Sequence, residues 1–218
     1  MTWIDISLAL DRTCPCWPGD EPFRTRRTAS MDRGDPCTVT AIAGSAHLGT
    51  HVDAPSHYVP GGGAIDALPL QTFVGDAVVV EILSAGNITA DALDDAAGDW
   101  PERLLLRTAN SAPGGGLDRG DPAGGNELTV EAAERAMDGG VRLIGIDGLS
   151  IGSDDVHRAL LSRGIAILEG ADLRRARPGP YTLVALPLKL VSLEASPVRA
   201  VLIPRPTAGC GRSEVFHA

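Results

Sequence analysis

At 218 residues, with 44% hydrophobic and 22% charged side chains, the chain has the size and composition of one globular domain with a substantial core. A formal charge of −9 and the lack of a Lys/Arg cluster interleaved with aromatics exclude nucleic acid as a partner. Asp5 interrupts the apolar run that a signal peptide needs, and no stretch approaches the roughly 20 apolar residues of a membrane span. Four cysteines, Cys14, Cys16, Cys37 and Cys210, lack zinc-finger spacing and are interpreted as free thiols of a cytoplasmic protein.

The first half of the chain is predicted to be mostly extended. In chain order, the patterns predict strands at Trp3–Leu10, Thr38–His47, Asp76–Leu83 and Arg103–Arg107. Prolines between Pro15 and Pro22 enforce a turn-rich segment, so that residues 1–25 are expected to form an extended N-terminal arm. Residues 109–127 are rich in Gly, Pro, Asp and Asn, which indicates an inserted surface loop.

The second half alternates helices and strands. Thr129–Asp138 and Asp154–Arg163 are predicted helices, with Thr129 as N-cap of the first and Gly164 closing the second. The predicted strands of this half are Val141–Asp147, Ile165–Leu168, Tyr181–Leu186 and Val198–Ile203. Strands outnumber helices and no domain linker is evident, so we expect residues 1–218 to form one α/β domain. Its sheet should be mixed, partly barrel-like and flanked by a few helices.

Three of the five histidines lie within eleven positions, in the segment from His47 to His57. Imidazole and carboxylate groups are the ligand set that Zn²⁺, Mn²⁺ or Fe²⁺ prefers. In an extended stretch His51, Asp53 and His57 would share one face, and Gly49 could let the backbone bend so that His47 joins them. Thr50 could hydrogen-bond one of these metal-binding side chains. The alternative, surface histidines gathered by chance, does not account for three of them with an Asp in a chain otherwise poor in His.

These residues carry a resemblance to a known family. The pattern His-x-Gly-Thr-His-x-Asp-x-Pro-x-His at residues 47–57 resembles the signature of the cyclase-type metal hydrolases, which include bacterial kynurenine formamidases and isatin hydrolases. Weaker blocks follow in the family's order over nearly the whole chain, at residues 5–7, 17–23, 145–147, 167–170, 185–189 and 195–200. The resemblance implies a swivelling β/β/α fold and an assembly into a homodimer or homotetramer.

The resemblance also implies further site residues. In the formamidase branch a helical His and a Glu twelve positions later complete a two-metal site, and His157 and Glu169 match that spacing. Otherwise, His157 would be a solvent-facing helix residue and Glu169 a charge at a strand end. Trp17, in the stiff N-terminal arm, is expected to enclose the ring of the substrate, in a neighbouring subunit's active site. The alternative is that Trp17 fills its own subunit's core.

The expected function is metal-dependent hydrolysis of an amide. One or two divalent ions, Zn²⁺ first and Mn²⁺ second, would generate a hydroxide that attacks the carbonyl of N-formylkynurenine or a related N-formyl aryl amine. His57 is expected to protonate the leaving nitrogen unless it is a permanent ligand. The alternative substrate is another cyclic or aryl amide, such as an isatin-like lactam. Between Ser150 and His157 the chain is shorter than in these formamidases, and Gly148-Leu149 replaces their usual Thr-Pro, which concerns the substrate rather than the metal.

Two other classes of protein stay open at this point. Residues 148–152 match the Gly-x-Ser-x-Gly pattern of a serine hydrolase, with Ser150 as nucleophile and His217 as a base that would lie next to the C-terminus. Such a short pattern is common in a chain with 26 glycines. A non-catalytic metal-binding protein is the other class, and it would have a site without an open coordination position.

Overall fold

The structure, a computed structural model, describes residues 2–83, 86–119 and 126–206. Residues 120–125 of the predicted insertion lie outside the described residues, as do Cys210 and His217. Within the described residues the strands are β1 (Ile4–Asp5), β2 (Arg24–Ala29), β3 (Val39–Ala43), β4 (His51–Asp53), β5 (Val74–Glu81), β6 (Arg103–Arg107), β7 (Leu143–Ile146), β8 (Ala166–Glu169), β9 (Gly179–Val184), β10 (Ala195–Pro197) and β11 (Val201–Pro204). The α-helices are α1 (Ala90–Ala97), α2 (Gly116–Arg119), α3 (Val130–Asp138) and α4 (Asp154–Ser162).

Nine of these strands form one mixed sheet that curls into a half-barrel, in the order β1-β11-β9-β5-β6-β7-β8-β4-β10. Strands β5 to β8 run parallel, and α1, α3 and α4 lie in the connections between them. The strands on either side of this parallel group are antiparallel. The predicted α/β fold with a mixed, partly barrel-like sheet is therefore confirmed.

Two hydrophobic clusters cover the two faces of the sheet, as strand alternation requires. On β6, Leu105 points into the cluster inside the curl, whereas Leu104 and Leu106 pack on the outer side under the helices. The inner cluster contains Phe73 and the outer one contains the alanine face of α3. Full burial on both faces explains why these strands read as continuous apolar runs in the sequence.

Helices α3 and α4 begin where the sequence predicts, whereas α1 was not predicted. The Thr129 side chain accepts a hydrogen bond from the Ala132 N–H, and Thr89 accepts one from Ala92 in the same way at the start of α1. Helix α4 ends at Ser162, and Gly164 follows with a φ of +74°. No helix among the described residues is long and apolar enough to cross a membrane.

The structure departs from the predicted elements at the N-terminal end. The first strand is limited to Ile4–Asp5, and the arm expected over residues 1–25 runs into a strand, β2, that the sequence did not predict. Strands β2 and β3 form a separate antiparallel hairpin in which every residue of β3 is exposed. The alternating apolar pattern of a half-buried strand is absent from Arg24–Ala29 because no face of it packs on this chain's core.

Candidate metal centre

A cavity of about 300 Å³ opens at the carboxyl ends of β7 and β8. Such edges of parallel strands are where open α/β sheets bind their ligands. Histidines 47, 51, 57 and 157 all line this cavity, together with Glu169. Asp53 lies beneath it, with no exposed surface. The structure therefore brings together all six residues that the sequence singled out as metal ligands.

The segment from His47 to His57 reaches the cavity by a path that differs from the predicted one. Gly49 has a φ of +59°, in the left-handed region, and this turn places His47 beside β4 as expected. The extended stretch, however, ends at Ala54, and Pro55–His57 form a 3₁₀ turn. The prediction that His57 shares a strand face with His51 and Asp53 is therefore wrong, because Pro55 starts a turn that carries His57 back over the cavity.

The distant half of the centre depends on the register of the sheet. Strand β4 pairs antiparallel with β8, and the Cα of His51 lies opposite that of Glu169. His157 is buried on α4, the helix that leads into β8. Residues more than a hundred positions apart are thus brought into one cluster by strand pairing.

The side chains form two sets that share Asp53. Asp53 Oδ1 lies 3.0 Å from His47 Nδ1 and 3.5 Å from His51 Nε2. Glu169 lies 3.3 Å from His51 Nε2 through Oε2 and 3.1 Å from His157 Nε2 through Oε1. The donor atoms of His47, His51 and Asp53 all lie within 4.8 Å of one another, as do those of Asp53, His157 and Glu169. This arrangement fits one ion in each set with Asp53 between them.

The hydrogen bonding of these groups supports that fit. His51 Nε2 and both carboxylate oxygens of Asp53 are buried and have no hydrogen-bond partner. Buried polar atoms are nearly always hydrogen-bonded, so the ion-pair contacts of Asp53 with His47 and His51 leave its oxygens incompletely satisfied. Three such atoms facing a common space, with nitrogen and oxygen donors only, match the ligand set of a divalent transition metal.

Main-chain carbonyls orient two of the histidines. His51 Nδ1 lies 3.0 Å from Gly49 O, and His157 Nδ1 lies 3.0 Å from Ser153 O. Each carbonyl favours a proton on Nδ1 and so leaves the lone pair of Nε2 for the centre. The Ile151 N–H donates to Glu169 Oε1 at 2.7 Å, which fixes that carboxylate as well.

The buried histidines and carboxylates of the centre shift one another's pKa values. Burial opposes protonation of His51, but Glu169 and Asp53 outweigh it and raise the pKa of His51 to about 9. Burial likewise acts against the charged form of His157, yet its hydrogen bond to Glu169 raises the pKa of His157. For Glu169, burial acts against ionisation, but His157 and His51 hold its pKa well below the usual value. Protonated histidines thus supply positive charge that a bound cation would supply in their place.

His57 differs from the other histidines of the cavity. Burial lowers the pKa of His57, and the neighbouring His47 and His157 lower it further. Its ring lies 4.3 Å from that of His47, centroid to centroid, but His57 belongs to neither of the two sets. Its assignment as ligand or proton shuttle stays a prediction.

Tyr58 is a cavity residue that the sequence did not single out, although it directly follows the motif. Its ring stacks on His157, with centroids 4.8 Å apart, and its hydroxyl donates to Asp154 Oδ1 at 3.0 Å. Burial and this carboxylate raise the pKa of Tyr58 to about 12, so that it stays neutral at physiological pH. Tyr58 therefore links the 3₁₀ turn to the start of α4 and covers one face of His157.

Thr50 has a role other than the expected one. Its hydroxyl donates to Gly170 O at 2.6 Å and accepts from the Leu8 N–H at 2.8 Å. These bonds join three chain segments behind the centre. The prediction that Thr50 would hydrogen-bond a ligand is therefore wrong.

Ser150 lines the same cavity, but its surroundings do not resemble those of an activated nucleophile. Its hydroxyl donates to Gly152 O at 2.9 Å and accepts from the Gly152 N–H at 3.2 Å, within its own turn. Helix α4 starts only at Asp154, so Ser150 does not stand at a sharp strand-to-helix elbow.

Trp17 and Cys16 line the cavity of their own chain. The indole of Trp17 is half-exposed, 51%, rather than packed in the core. Asp20 anchors the segment, since Ser45 donates to its Oδ2 at 3.0 Å and the His47 N–H donates to Ser45 at 3.2 Å. The arm was expected to reach a neighbouring subunit; in this structure it forms part of the wall of its own chain's cavity.

Comparisons with known proteins agree with this geometry. Residues 4–153 match the family described as "Putative cyclase". The chain belongs to this cyclase family. It is 40% identical over 212 residues to a kynurenine formamidase from Paracidovorax citrulli (strain AAC00-1), covering 93% of this chain and 96% of that protein.

Solved structures show the same fold. A structure described as "predicted metal-dependent hydrolase from Bacillus stearothermophilus" has a TM-score of 0.78 and 27% identity, covering 92% of this chain and 97% of that one. Isatin hydrolase A from Labrenzia aggregata, bound to benzyl benzoate, has a TM-score of 0.79, covers 94% of both chains and is 24% identical. At that identity the second likeness concerns the fold alone.

Proposed function

We propose that this cyclase-family protein is a metal-dependent hydrolase of aryl amides, and specifically an arylformamidase that acts on N-formylkynurenine or a related N-formyl aryl amine. The observation that carries the proposal is a group of buried atoms without a hydrogen-bond partner, His51 Nε2 and the two carboxylate oxygens of Asp53, at the base of an open cavity. The substrate class rests on the kynurenine formamidase that is 40% identical over nearly the whole length of both chains.

Two divalent ions are proposed to occupy the centre, one held by His47, His51 and Asp53 and the other by Asp53, His157 and Glu169. Zn²⁺ is our first choice and Mn²⁺ the second, since the donors are imidazole and carboxylate only. A bound ion of this kind lowers the pKa of water and polarises a carbonyl oxygen.

The chain's own residues then have distinct tasks. His57 is proposed to deliver the proton that the leaving arylamine needs, because it lines the cavity and belongs to neither of the two metal sets. Tyr58 holds His157 by stacking and excludes water from one side of that ring. Trp17, half-exposed at the rim, offers an aromatic face to an aryl substrate.

A second substrate class within the same chemistry is a cyclic aryl amide, such as an isatin-like lactam. The short connection between Ser150 and α4 leaves Gly152 and Ser153 in the cavity wall, which gives room beside the centre. Hydrolysis of isatin but not of N-formylkynurenine would favour this alternative.

We also propose that the protein forms a homodimer or a homotetramer. The β2–β3 hairpin exposes Val39 and Ile42, the latter 72% exposed, and Met31 in its connection. A two-stranded hairpin alone is marginally stable in water, and exposed apolar surface of this kind marks interfaces. Basic residues in Arg24–Ala29 suit a second copy of a chain whose net charge is −9. Light scattering should report an oligomer that Ile42→Lys dissociates, while Leu70→Lys, at a leucine outside the hairpin that is 64% exposed, leaves it intact.

The remaining proposals concern location and domain organisation. We propose a cytoplasmic protein, in keeping with the free thiols of Cys14, Cys16 and Cys37. One domain over residues 1–218 is proposed, since a single sheet unites elements from β1 to β11. It would carry the N-terminal arm and the glycine-rich insertion at residues 109–127 as additions.

The deciding experiment is hydrolysis by the purified protein before and after metal removal. The protein reconstituted with Zn²⁺ or Mn²⁺ should convert N-formylkynurenine to kynurenine and formate, and the metal-free protein should not. Ser150→Ala should keep most of this activity, as the matched test of the serine hydrolase alternative. Full activity in metal-free protein that is lost in Ser150→Ala would overturn the proposal in favour of a serine nucleophile.

A further inference from the structure

His47 is oriented differently from the other two histidines of the proposed metal sets. His51 and His157 each turn Nε2 toward the centre and are anchored through Nδ1 by a main-chain carbonyl. His47 turns Nδ1 toward the centre, where it lies 3.0 Å from Asp53 Oδ1. Among the hydrogen bonds of the described residues, none joins the His47 ring to a main-chain carbonyl. Its outward nitrogen, Nε2, instead lies 3.6 Å from Glu194 Oε1.

The position of Glu194 is held by an unusual turn. Ser192 has a φ of +63°, and among the described residues it is the one non-glycine residue with a positive φ. Such a conformation is strained and persists only where the surroundings impose it. Here the Ser192 N–H donates to Asp66 Oδ1 at 3.0 Å, and Leu193 O accepts from the Ile65 N–H at 2.8 Å.

The next residue is fixed in the same manner. Glu194 O accepts from the Ala54 N–H at 2.8 Å, directly after β4, which carries His51 and Asp53. Hydrogen bonds of three successive residues, one to the Asp66 side chain and two between backbone groups, therefore hold this strained turn beside the ligand-bearing segment. The turn places the carboxylate of Glu194 beside the outward nitrogen of the His47 ring.

We propose that Glu194 is a positioning residue that orients His47 for metal binding, as Gly49 O and Ser153 O do for His51 and His157. A carboxylate at Nε2 favours a proton on that nitrogen, leaves the lone pair of Nδ1 for the ion and strengthens the imidazole as a ligand. In this proposal Glu194 acts through His47 and not on the ion or the substrate, and its side chain is 40% exposed. This inference rests on the proposed metal centre and deepens it.

Direct metal binding tests the inference without any substrate. Metal-free protein is titrated with Co²⁺, followed by its visible absorption, and with Zn²⁺ in competition with a chelator. Glu194→Ala should weaken binding of the tighter-held ion about 10- to 100-fold, the range found when partners of ligating histidines are removed. Glu194→Gln keeps an acceptor oxygen and should lose less. Glu134→Ala, on the exposed face of α3, is the matched control and should bind like the wild type.

A second pair of variants tests the turn instead of the carboxylate. Ser192→Gly suits a positive φ and should retain wild-type affinity, whereas Ser192→Val, β-branched at that φ, should displace Glu194 and weaken binding. Unchanged Co²⁺ and Zn²⁺ affinities in both Glu194 variants would overturn the inference and leave the metal centre standing. A raised KM with unchanged affinity would also overturn it, by making Glu194 a substrate contact. If the wild type itself bound no Co²⁺ or Zn²⁺, the proposed function would fail together with the inference.

Discussion

The two halves of the centre are assembled in opposite ways. His47, His51 and Asp53 come from seven consecutive positions, arranged by one glycine turn and the start of β4. His157 and Glu169 come from a helix and a central strand, and they meet Asp53 only because β4 pairs with β8 in one register. The first set therefore depends on local geometry and the second on the whole sheet.

Their environments differ accordingly. The side chain of His47 is 15% exposed and its outer nitrogen faces a surface carboxylate, whereas the side chains of His157 and Glu169 are each only 6% exposed. Glu169 compensates two histidines at once. Substitution of His47 should therefore act on metal binding alone, whereas substitution of Glu169 should also change the stability of the metal-free fold.

Asp53→Asn tests the one residue that both sets share, and we expect the largest effect there. The amide keeps the shape but removes the charge that both ions need, so bound metal should be lost and kcat/KM should fall at least roughly a thousandfold. The metal-free variant should be somewhat less stable than the wild type, since Asp53 lies 3.0 Å from His47 Nδ1 and helps to raise the pKa of His51. Elemental analysis, kinetics and thermal unfolding measure these outcomes. Retained metal with normal turnover would place the centre elsewhere.

One variant from each metal set should show the second-largest effect. Glu169→Gln and His47→Gln should each reduce metal content and lower turnover about a hundredfold, a range typical for disturbed metal sites. Only Glu169→Gln should also lower the melting temperature of the metal-free protein, because it leaves two protonated histidines without their anion. Equal melting temperatures in the two metal-free variants would contradict the division into a local and a distant set.

The same contrast explains what the sequence could predict. The spacing from His47 to His57 lies within one segment, so residue chemistry alone indicated a metal site there. His157 and Glu169 follow from no local pattern; they were found through the family resemblance, since the sequence does not contain the register of β4 on β8. Thr129, by contrast, caps α3 through a contact three residues away, and such a local contact could be predicted from the sequence.

The failed predictions have different causes. The path of His57 was mispredicted because strand periodicity was extended through Pro55, where a 3₁₀ turn begins. Strand β2 was missed because its arginines give no alternation when no core covers either face. Glu194 carries no motif at all, and only the turn at Ser192 brings it beside His47.

His57→Ala should separate proton transfer from ligation. Since His57 belongs to neither metal set, the variant should keep its metal while kcat falls about a hundredfold, the usual contribution of a general acid. An amide with a better leaving group needs less protonation and should recover part of the loss. Loss of metal in His57→Ala would instead identify His57 as a ligand, and the residues assigned to the two metal sets would have to be revised.

The smallest effect we predict is on the pH dependence of the metal-free protein. The pKa of His51 is raised from 6.5 to about 9, and the pKa of His157 is raised as well. A raised histidine pKa contributes stability that is fully present below the unfolded value and is lost as pH rises through the folded one. His57, whose pKa is lowered, has the opposite sign and contributes its stability above its unfolded value.

The metal-free protein should therefore lose stability between pH 6.5 and about 9. We expect its melting temperature to fall across this range, by about 2–4 °C for each kcal/mol of stability lost in a chain of this size. The metal-loaded protein should not show this fall, because coordination already requires neutral histidines. Calorimetry of both forms across this range measures the difference. In metal-free Glu169→Gln the slope should flatten, since the carboxylate that raises both histidine pKa values is gone; an unchanged slope would assign the pH dependence to groups outside the centre.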